Sequence, residues 1–222
     1  MFKKVLIAED IDSISATVIK VLEELEIPVI HHVKYYDDGL LKIKKSLLDN
    51  DPYDLLITDL SFKTDHRNTN ILNGEELINS VNKVYPQLKK IVFSTEDKSY
   101  RIKKLFSELK INAYVSKGRN SIEELKTAIQ KTFKDEEKIL SSDLSFSFND
   151  KSLIEIESYD ISILTLMARG YILGSISNEF KAKSITPNGT SSIEKRINKL
   201  KVYFKANNNV HLIAIAKDYG LI

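Results

Sequence analysis

The chain contains no cysteine among its 222 residues, which removes disulfide frameworks, thiolate zinc sites and cysteine nucleophiles together and fits a reducing compartment. Long apolar runs are also missing. The opening Met1-Phe-Lys-Lys-Val-Leu-Ile-Ala sets basic residues before an apolar stretch, but Glu9 and Asp10 close it far too early for a signal peptide. No later run approaches a membrane span, so a cytoplasmic chain without membrane association is expected. Neither sign of charge dominates: 33 Lys and Arg face 31 Asp and Glu, a formal net charge of +2. Such a balance informs only once the charges are located. Lys195, Arg196, Lys199, Lys201 and Lys205 fall in one stretch without an acid, whereas the first apolar run ends on acids. The pattern predicts a cation site early and a polyanion contact late.

What is present is enough for two small cores. Up to residue 133, short β-rich apolar runs alternate with helical patterns, the signature of βα units wound into a parallel sheet with helices on both faces. Five strands are predicted, at 4–8, 29–33, 54–58, 90–94 and 113–116, nearly continuous in apolar character as buried parallel strands should be. Helical spacing fills the intervals at 14–25, 39–48, 75–84, 100–109 and 122–133. From 134 to 154 the periodicity lapses and serine rises, which reads as a linker with a short extended piece. Residues 155–222 predict a smaller all-α domain of four helices, near 159–169, 172–180, 191–205 and 210–219, separated by Gly170, Thr186-Pro-Asn-Gly189 and Asn207-Asn-Asn209.

Ligands of an open parallel sheet gather at the carboxyl ends of strands where the winding reverses. There stand Glu9 and Asp10 after the first strand, Asp59 after the third, Ser94 at the fourth and Lys117 after the fifth. Three converging carboxylates repel unless a cation neutralises them, and hard oxygen donors favour Mg²⁺. With Mg²⁺ bound, Asp59 can attack a phosphoryl donor to give an acyl phosphate. Lys117 suits pairing with Asp59 before transfer and with a phosphoryl oxygen afterwards, and Ser94 supplies a hydroxyl to the same group.

Residues 1–133 resemble the receiver of two-component response regulators. Ile-Ala-Glu9-Asp10, Leu-Ile-Thr-Asp59, Ile-Val-Phe-Ser94-Thr95 and Ala-Tyr114-Val-Ser-Lys117 each carry the family residue at the end of an apolar strand. The resemblance implies a flavodoxin-like fold and a phosphoacceptor at Asp59. It implies Mg²⁺ held by Glu9, Asp10, Asp59 and the main-chain carbonyl of Ser61, and a switch made of Ser94, Thr95, Tyr114 and Lys117. It further implies a sensor histidine kinase as partner and no enzyme activity beyond Mg²⁺-dependent self-phosphorylation and dephosphorylation at Asp59. Two departures stand out. The loop from Asp59 to Gly74 exceeds the usual receiver spacing and brings His66 and Arg67, either of which can be imagined reaching the pocket, though a plain surface insertion is the simpler expectation. Gly118 stands where most receivers have proline. His31 and His32 are adjacent in a strand, point to opposite faces and are expected to be structural. A phosphatase of the aspartyl-phosphate type would need an acid where Ser61 stands.

Residues 155–222 are similar to a LuxR-type (NarL-like) helix-turn-helix domain. Ile163-Leu-Thr-Leu-Met-Ala-Arg-Gly170 matches its first helix, Ile172 to Phe180 the scaffold helix, Ser191 to Phe204 the recognition helix and Val210 to Ile222 the last helix with its terminal Gly-Leu. Ile193, Ile197, Leu200 and Phe204 form the expected buried stripe. Ser191, Ser192, Lys195, Arg196, Lys199 and Lys201 are the expected contacts to double-stranded DNA. The turn between scaffold and recognition helices is longer than in the family, and Glu194 stands where a basic residue is common. Together the two resemblances imply a regulator in which phosphorylation of Asp59 controls DNA binding, as a homodimer on activation. The alternative is a protein-interaction module whose helical domain binds a protein.

Overall fold

A computed structural model gives the fold and describes residues 1–63, 66–97, 99–136, 139–141 and 156–222, the side chains of residues 99 and 100 excepted. The chain divides into two compact units, 1–149 and 150–222.

In the first unit, strands β1 (Lys4–Ala8), β2 (Val29–Val33), β3 (Leu55–Thr58), β4 (Lys89–Ser94), β5 (Ala113–Ser116) and β6 (Ile139–Leu140) form one sheet in the order β2-β1-β3-β4-β5-β6, every pairing parallel. Helices α1 (Asp12–Glu24), α2 (Tyr36–Leu48), α3 (Gly74–Val84), α4 (Ser99–Ser107) and α5 (Ser121–Phe133) connect β1 to β5. Successive strand residues point to opposite faces, and the sequence uses both. Val5, Ile7, Leu55, Ile57, Ile91 and Phe93 pack with Val18 and Leu22 of α1 and Leu125 and Ile129 of α5. Leu6, Ala8 and Leu56 pack with Ile43 of α2 and Leu77 and Val81 of α3, and Val92 and Tyr114 with Ile102 and Leu105 of α4. That is the doubly wound α/β arrangement expected, with one strand more than the five predicted. The extra strand, β6, is two residues long, pairing Ile139 with Ala113 and Leu140 with Tyr114. Two residues carry no periodicity, so it could be anticipated only as a short extended piece. Residues 137–138 and 142–154 of the expected linker lie outside the described residues.

One core side chain is out of character. Lys90, on β4, is only 2% exposed, and its ammonium donates to Asn82 Oδ1 at 2.8 Å and to the Pro86 carbonyl at 3.1 Å. Burial, helped by neighbouring Lys89, pushes its pKa down from 10.5 to about 8. Between those two values the unfolded chain binds more protons than the folded one, so this group makes stability rise with pH there. Relative to Lys90→Met, the unmodified chain should gain about 2 kcal/mol between pH 8 and pH 10. Parallel denaturant titrations measure the difference, in which tyrosine ionisation common to both proteins cancels.

The second unit contains α6 (Ser158–Ala168), α7 (Leu173–Ala182), α8 (Thr190–Tyr203) and α9 (Asn209–Asp218). Its core joins Ile163 and Leu164 of α6, Ile176 and Phe180 of α7, Ile193, Ile197 and Leu200 of α8, and Leu212 and Ala216 of α9. Phe204, expected on the buried stripe, is half-buried just past α8, edge-on to Tyr203 and Tyr219. The long turn between α7 and α8 is tied down: Ser177 Oγ donates to the Asn188 carbonyl at 2.6 Å and the Tyr159 hydroxyl to the Pro187 carbonyl at 2.6 Å. Among the described residues, no helix is long and apolar enough to cross a membrane.

Candidate functional site

The winding of the first sheet reverses at β1, whose neighbours are β2 and β3. Ala8 is in register with Thr58 and with Val33, so Glu9 and Asp59 leave the sheet side by side. Ser94 is in register with Ser116, which places Lys117 one step beyond. The Lys117 ammonium sits 2.6 Å from Asp59 Oδ2 and 2.8 Å from Glu9 Oε2, and the Lys117 backbone N–H donates to the Ser94 carbonyl at 2.8 Å. All three charged side chains of this cluster are nearly withdrawn from solvent. Burial pushes the Glu9 carboxyl above the usual range, opposed by its bond to Lys117.

Asp59 is held from several sides. Leu60 N–H donates to its Oδ1 at 2.6 Å. Its carbonyl accepts from Thr58 Oγ1 at 2.8 Å and from the Tyr36 hydroxyl at 3.3 Å. Tyr36 is buried, and burial followed by the nearby carboxylates of Asp59, Asp10 and Glu9 keeps its phenol protonated far above the ordinary range. Gly74, which opens α3, presses directly on this backbone. An ideal Cβ there would lie 2.1 Å from the Asp59 carbonyl oxygen and 2.9 Å from Leu60 Cα, so only glycine fits.

Asp10 accepts from the Lys63 N–H through Oδ2 at 2.8 Å, while its Oδ1 is buried with no hydrogen-bond partner. Such an orphan acceptor is costly unless a cation or donor completes it. Among the described residues no group of three or more His, Asp or Glu side chains stands ready to hold a metal. The expected joint set of Glu9, Asp10 and Asp59 is therefore not assembled, because the Lys117 ammonium already bridges Glu9 and Asp59 and supplies the neutralising charge. Asp10 is left as the acid whose unpartnered oxygen fits a hard cation. Ser61 is exposed two residues beyond Asp59.

Ser94 is buried and Thr95 exposed. Tyr114 is fully buried, its hydroxyl donating to the Glu96 carbonyl at 2.5 Å and lying beside the Ser94 hydroxyl. Burial, then Glu96, raises its pKa above the ordinary value. His31 Nδ1 shares a hydrogen bond with the Tyr53 hydroxyl at 2.6 Å, and His32 Nε2–H donates to the Glu9 carbonyl at 2.7 Å. His32 thereby braces the strand end that carries the acidic pair. Arg67 does not reach the pocket: it pairs with Asp38. His66 is exposed.

In the second unit, Ser191, Ser192, Lys195 and Lys199 lie exposed on α8, opposite the buried Ile193, Ile197 and Leu200. Asn198 and Val202, not anticipated, share that outer surface, with Val202 79% exposed. Two expected DNA contacts sit elsewhere. Lys201 is half-buried on a flank of the helix, lining a groove with Glu194, Ile172 and Val210. Arg196 turns inward to grip Asp160, Nε to Oδ1 at 2.5 Å and Nη2 to Oδ2 at 2.6 Å. Asp160 is 0% exposed and also caps α6 by accepting from Glu157 N–H at 2.9 Å. The correction has a helical cause: Arg196 stands about 100° round the helix from Lys195 and about 60° from Lys199, toward the core side, where a buried carboxylate fixes it.

The sequence matches no protein-family model and no curated protein. Solved structures do match. One holds two RcsB dimers bound to two parallel DNAs, 19% identical, covering 97% of this chain and 98% of that chain with a TM-score of 0.66. Another is RcsB from Salmonella enterica serovar Typhimurium bound to promoter rprA with the phosphomimetic BeF3⁻, 20% identical over 95% of this chain and 96% of that one, TM-score 0.62. A third is the isolated REC domain of RcsB from the same organism with BeF3⁻, 22% identical over 65% of this chain and 96% of that one, TM-score 0.52. The chain therefore has the two-part fold of the RcsB response regulator, a receiver-type α/β unit followed by a helix-turn-helix unit.

Proposed function

We propose that this protein is a response regulator in which Asp59 accepts a phosphoryl group from a sensor histidine kinase and thereby controls DNA binding by the second unit. The observation that carries the reading is the buried cluster at the sheet's switch point, with Lys117 bridging Asp59 and Glu9 beside the unpartnered Asp10 Oδ1. Asp59 attacks phosphorus, the donor's P–N bond breaks, and the leaving imidazole takes the electron pair and a proton. The product is an acyl phosphate. Lys117 then passes from the Asp59 carboxylate to a phosphoryl oxygen. Asp10, Asp59 and the Ser61 carbonyl would hold Mg²⁺, with Glu9 joining once Lys117 has moved. The cation, when bound, screens charge on the transferred oxygens.

Ser94, turning toward the phosphoryl group, leaves the Tyr114 hydroxyl, which is tied to the loop after β4 through Glu96. That coupling transmits the charge change to the α4 side of the unit and from there to a homodimer. Lys195 and Lys199, with Ser191 and Ser192 at the start of α8, would contact DNA phosphates and base edges. With β6 at Ile139–Leu140 part of the first unit's sheet, the linker from the receiver to a DNA-binding domain at 155–222 starts beyond that strand and not at 134, in a cytoplasmic regulator that turns over no substrate beyond its own Asp59. Similarity to structures bound to DNA, to a promoter and to BeF3⁻ supports this reading over a protein-interaction module.

The test combines both halves. Incubation with Mg²⁺ and a small acyl-phosphate donor should label the unmodified chain and leave Asp59→Ala unlabelled, as read on phosphate-affinity gels. In mobility-shift assays, Lys199→Ala should weaken DNA binding about uniformly across sequences and lower the salt slope by about 1. Labelling that survives Asp59→Ala overturns the acceptor, and affinity unchanged by Lys199→Ala overturns the DNA face.

A further inference from the structure

The loop between β3 and α3 is long for a receiver, yet several of its described residues are bound to the start of α2. The Arg67 guanidinium forks onto Asp38, Nη1 to Oδ2 at 2.9 Å and Nη2 to Oδ1 at 2.7 Å, and covers the Tyr35 ring at 4.2 Å. Asp37 accepts from the N–H groups of Asn70 at 3.1 Å and Ile71 at 3.4 Å. Phe62 stacks on Tyr36 with ring centroids 3.7 Å apart and planes 13° from parallel. Four successive residues, Tyr35 to Asp38, thus each hold part of the loop.

The same loop enters the pocket at two points. Tyr36, clamped by Phe62, donates to the Asp59 carbonyl, and Lys63 N–H donates to Asp10 Oδ2. The second bond has a directional consequence. With one oxygen fixed by the loop backbone, the other, Oδ1, is turned into the protein, where it has no partner. An Asp10 released from Lys63 would rotate toward water and satisfy both oxygens there. The loop therefore does for Asp10 what outer partners do for metal ligands generally: it holds the ligand in a geometry it would not choose alone.

We propose that the loop between β3 and α3 is a clasp that sets the cation affinity of the acidic pocket, with Arg67 its positioning residue. The inference rests on reading that pocket as a Mg²⁺-dependent phosphoacceptor site, and it assigns to the chain's unusual insertion a role that a passive surface loop would not have. Opening the clasp frees Phe62 and Lys63, and with them Asp10, without touching any residue that would contact the cation.

Isothermal calorimetry of Mg²⁺ binding to the full chain decides the matter, with thermal melting as the control for a merely structural role. Arg67→Ala and the isosteric Asp38→Asn should each weaken Mg²⁺ binding about tenfold while leaving the melting temperature nearly unchanged. Arg67→Lys keeps the charge but not the fork and should fall between. If Arg67→Ala and Asp38→Asn bind Mg²⁺ as tightly as the unmodified chain, or lose affinity only in proportion to lost folded protein, the clasp is wrong while the phosphoacceptor reading stands. If the unmodified chain itself binds no Mg²⁺, both fall.

Discussion

Gly74→Ala should cost the first unit about 3 kcal/mol or more and slow phosphoryl uptake at Asp59 about a hundredfold. The added methyl would stand 2.1 Å from the Asp59 carbonyl oxygen, inside any van der Waals contact, so either the start of α3 or the end of β3 must move. Neither moves cheaply. The Gly74 N–H is bonded to the Leu60 carbonyl at 3.0 Å, and Asn73 caps the helix by accepting from Glu76 N–H at 2.9 Å while Glu76 reaches back to Leu72 N–H. One turn further on, Leu77, Ile78 and Val81 are completely buried. On the other side, the displaced backbone is the one that carries Asp59, the proposed acceptor, between its bonds from Thr58 and Tyr36. A shift near 1 Å there misaligns the attacking carboxylate with its donor. Denaturant unfolding and donor-driven labelling, measured on the same preparation, read the two effects. Unchanged stability would mean that α3 can slide away from β3.

The second large effect belongs to Arg196→Met. Among the described residues, it leaves the fully buried Asp160 carboxylate with only the Glu157 N–H, and a buried charge stripped of its partner costs about 3–5 kcal/mol. The unfolding transition of the second unit should fall accordingly. Asp160→Leu with Arg196→Met should recover much of the loss, since a buried pair is often replaceable by apolar side chains though not breakable from one side. DNA affinity discriminates further. At temperatures where the Arg196→Met variant is still folded it should bind DNA nearly as well as the unmodified chain, whereas Lys199→Ala should stay stable and bind weakly. An Arg196 variant that kept its stability and lost DNA binding would return this residue to the DNA face.

The elements of this protein are largely legible in its sequence. Among the described residues, continuous apolar runs placed five of six strands, and helical spacing placed nine helices to within a few residues of their observed bounds. The pocket was legible in outline because each of its residues ends a buried strand, and parallel register then brings Glu9, Asp59 and Lys117 together. What escaped the sequence was contact across elements. Gly74 marked the end of the long loop after Asp59, but nothing local says that it presses on the Asp59 backbone. Tyr36, Thr58 and Asp160 carry no local signal, since each acts on a backbone or side chain far away in the chain. A run of basic residues does not say which of them lies toward the core, so only the structure places Arg196 on Asp160 and Lys201 along a groove.

By itself, then, the sequence determined the βα alternation, the acids and lysine at strand ends and the four helices that follow, because periodicity and strand-end chemistry are local properties. The tertiary structure alone decided that Lys117 bridges Glu9 and Asp59, that the long loop is pinned to α2 with Arg67 on Asp38, and that one basic residue of α8 is the partner of a buried carboxylate. Those outcomes depend on which surfaces pack together, and packing is settled by the whole core and not by any stretch of chain.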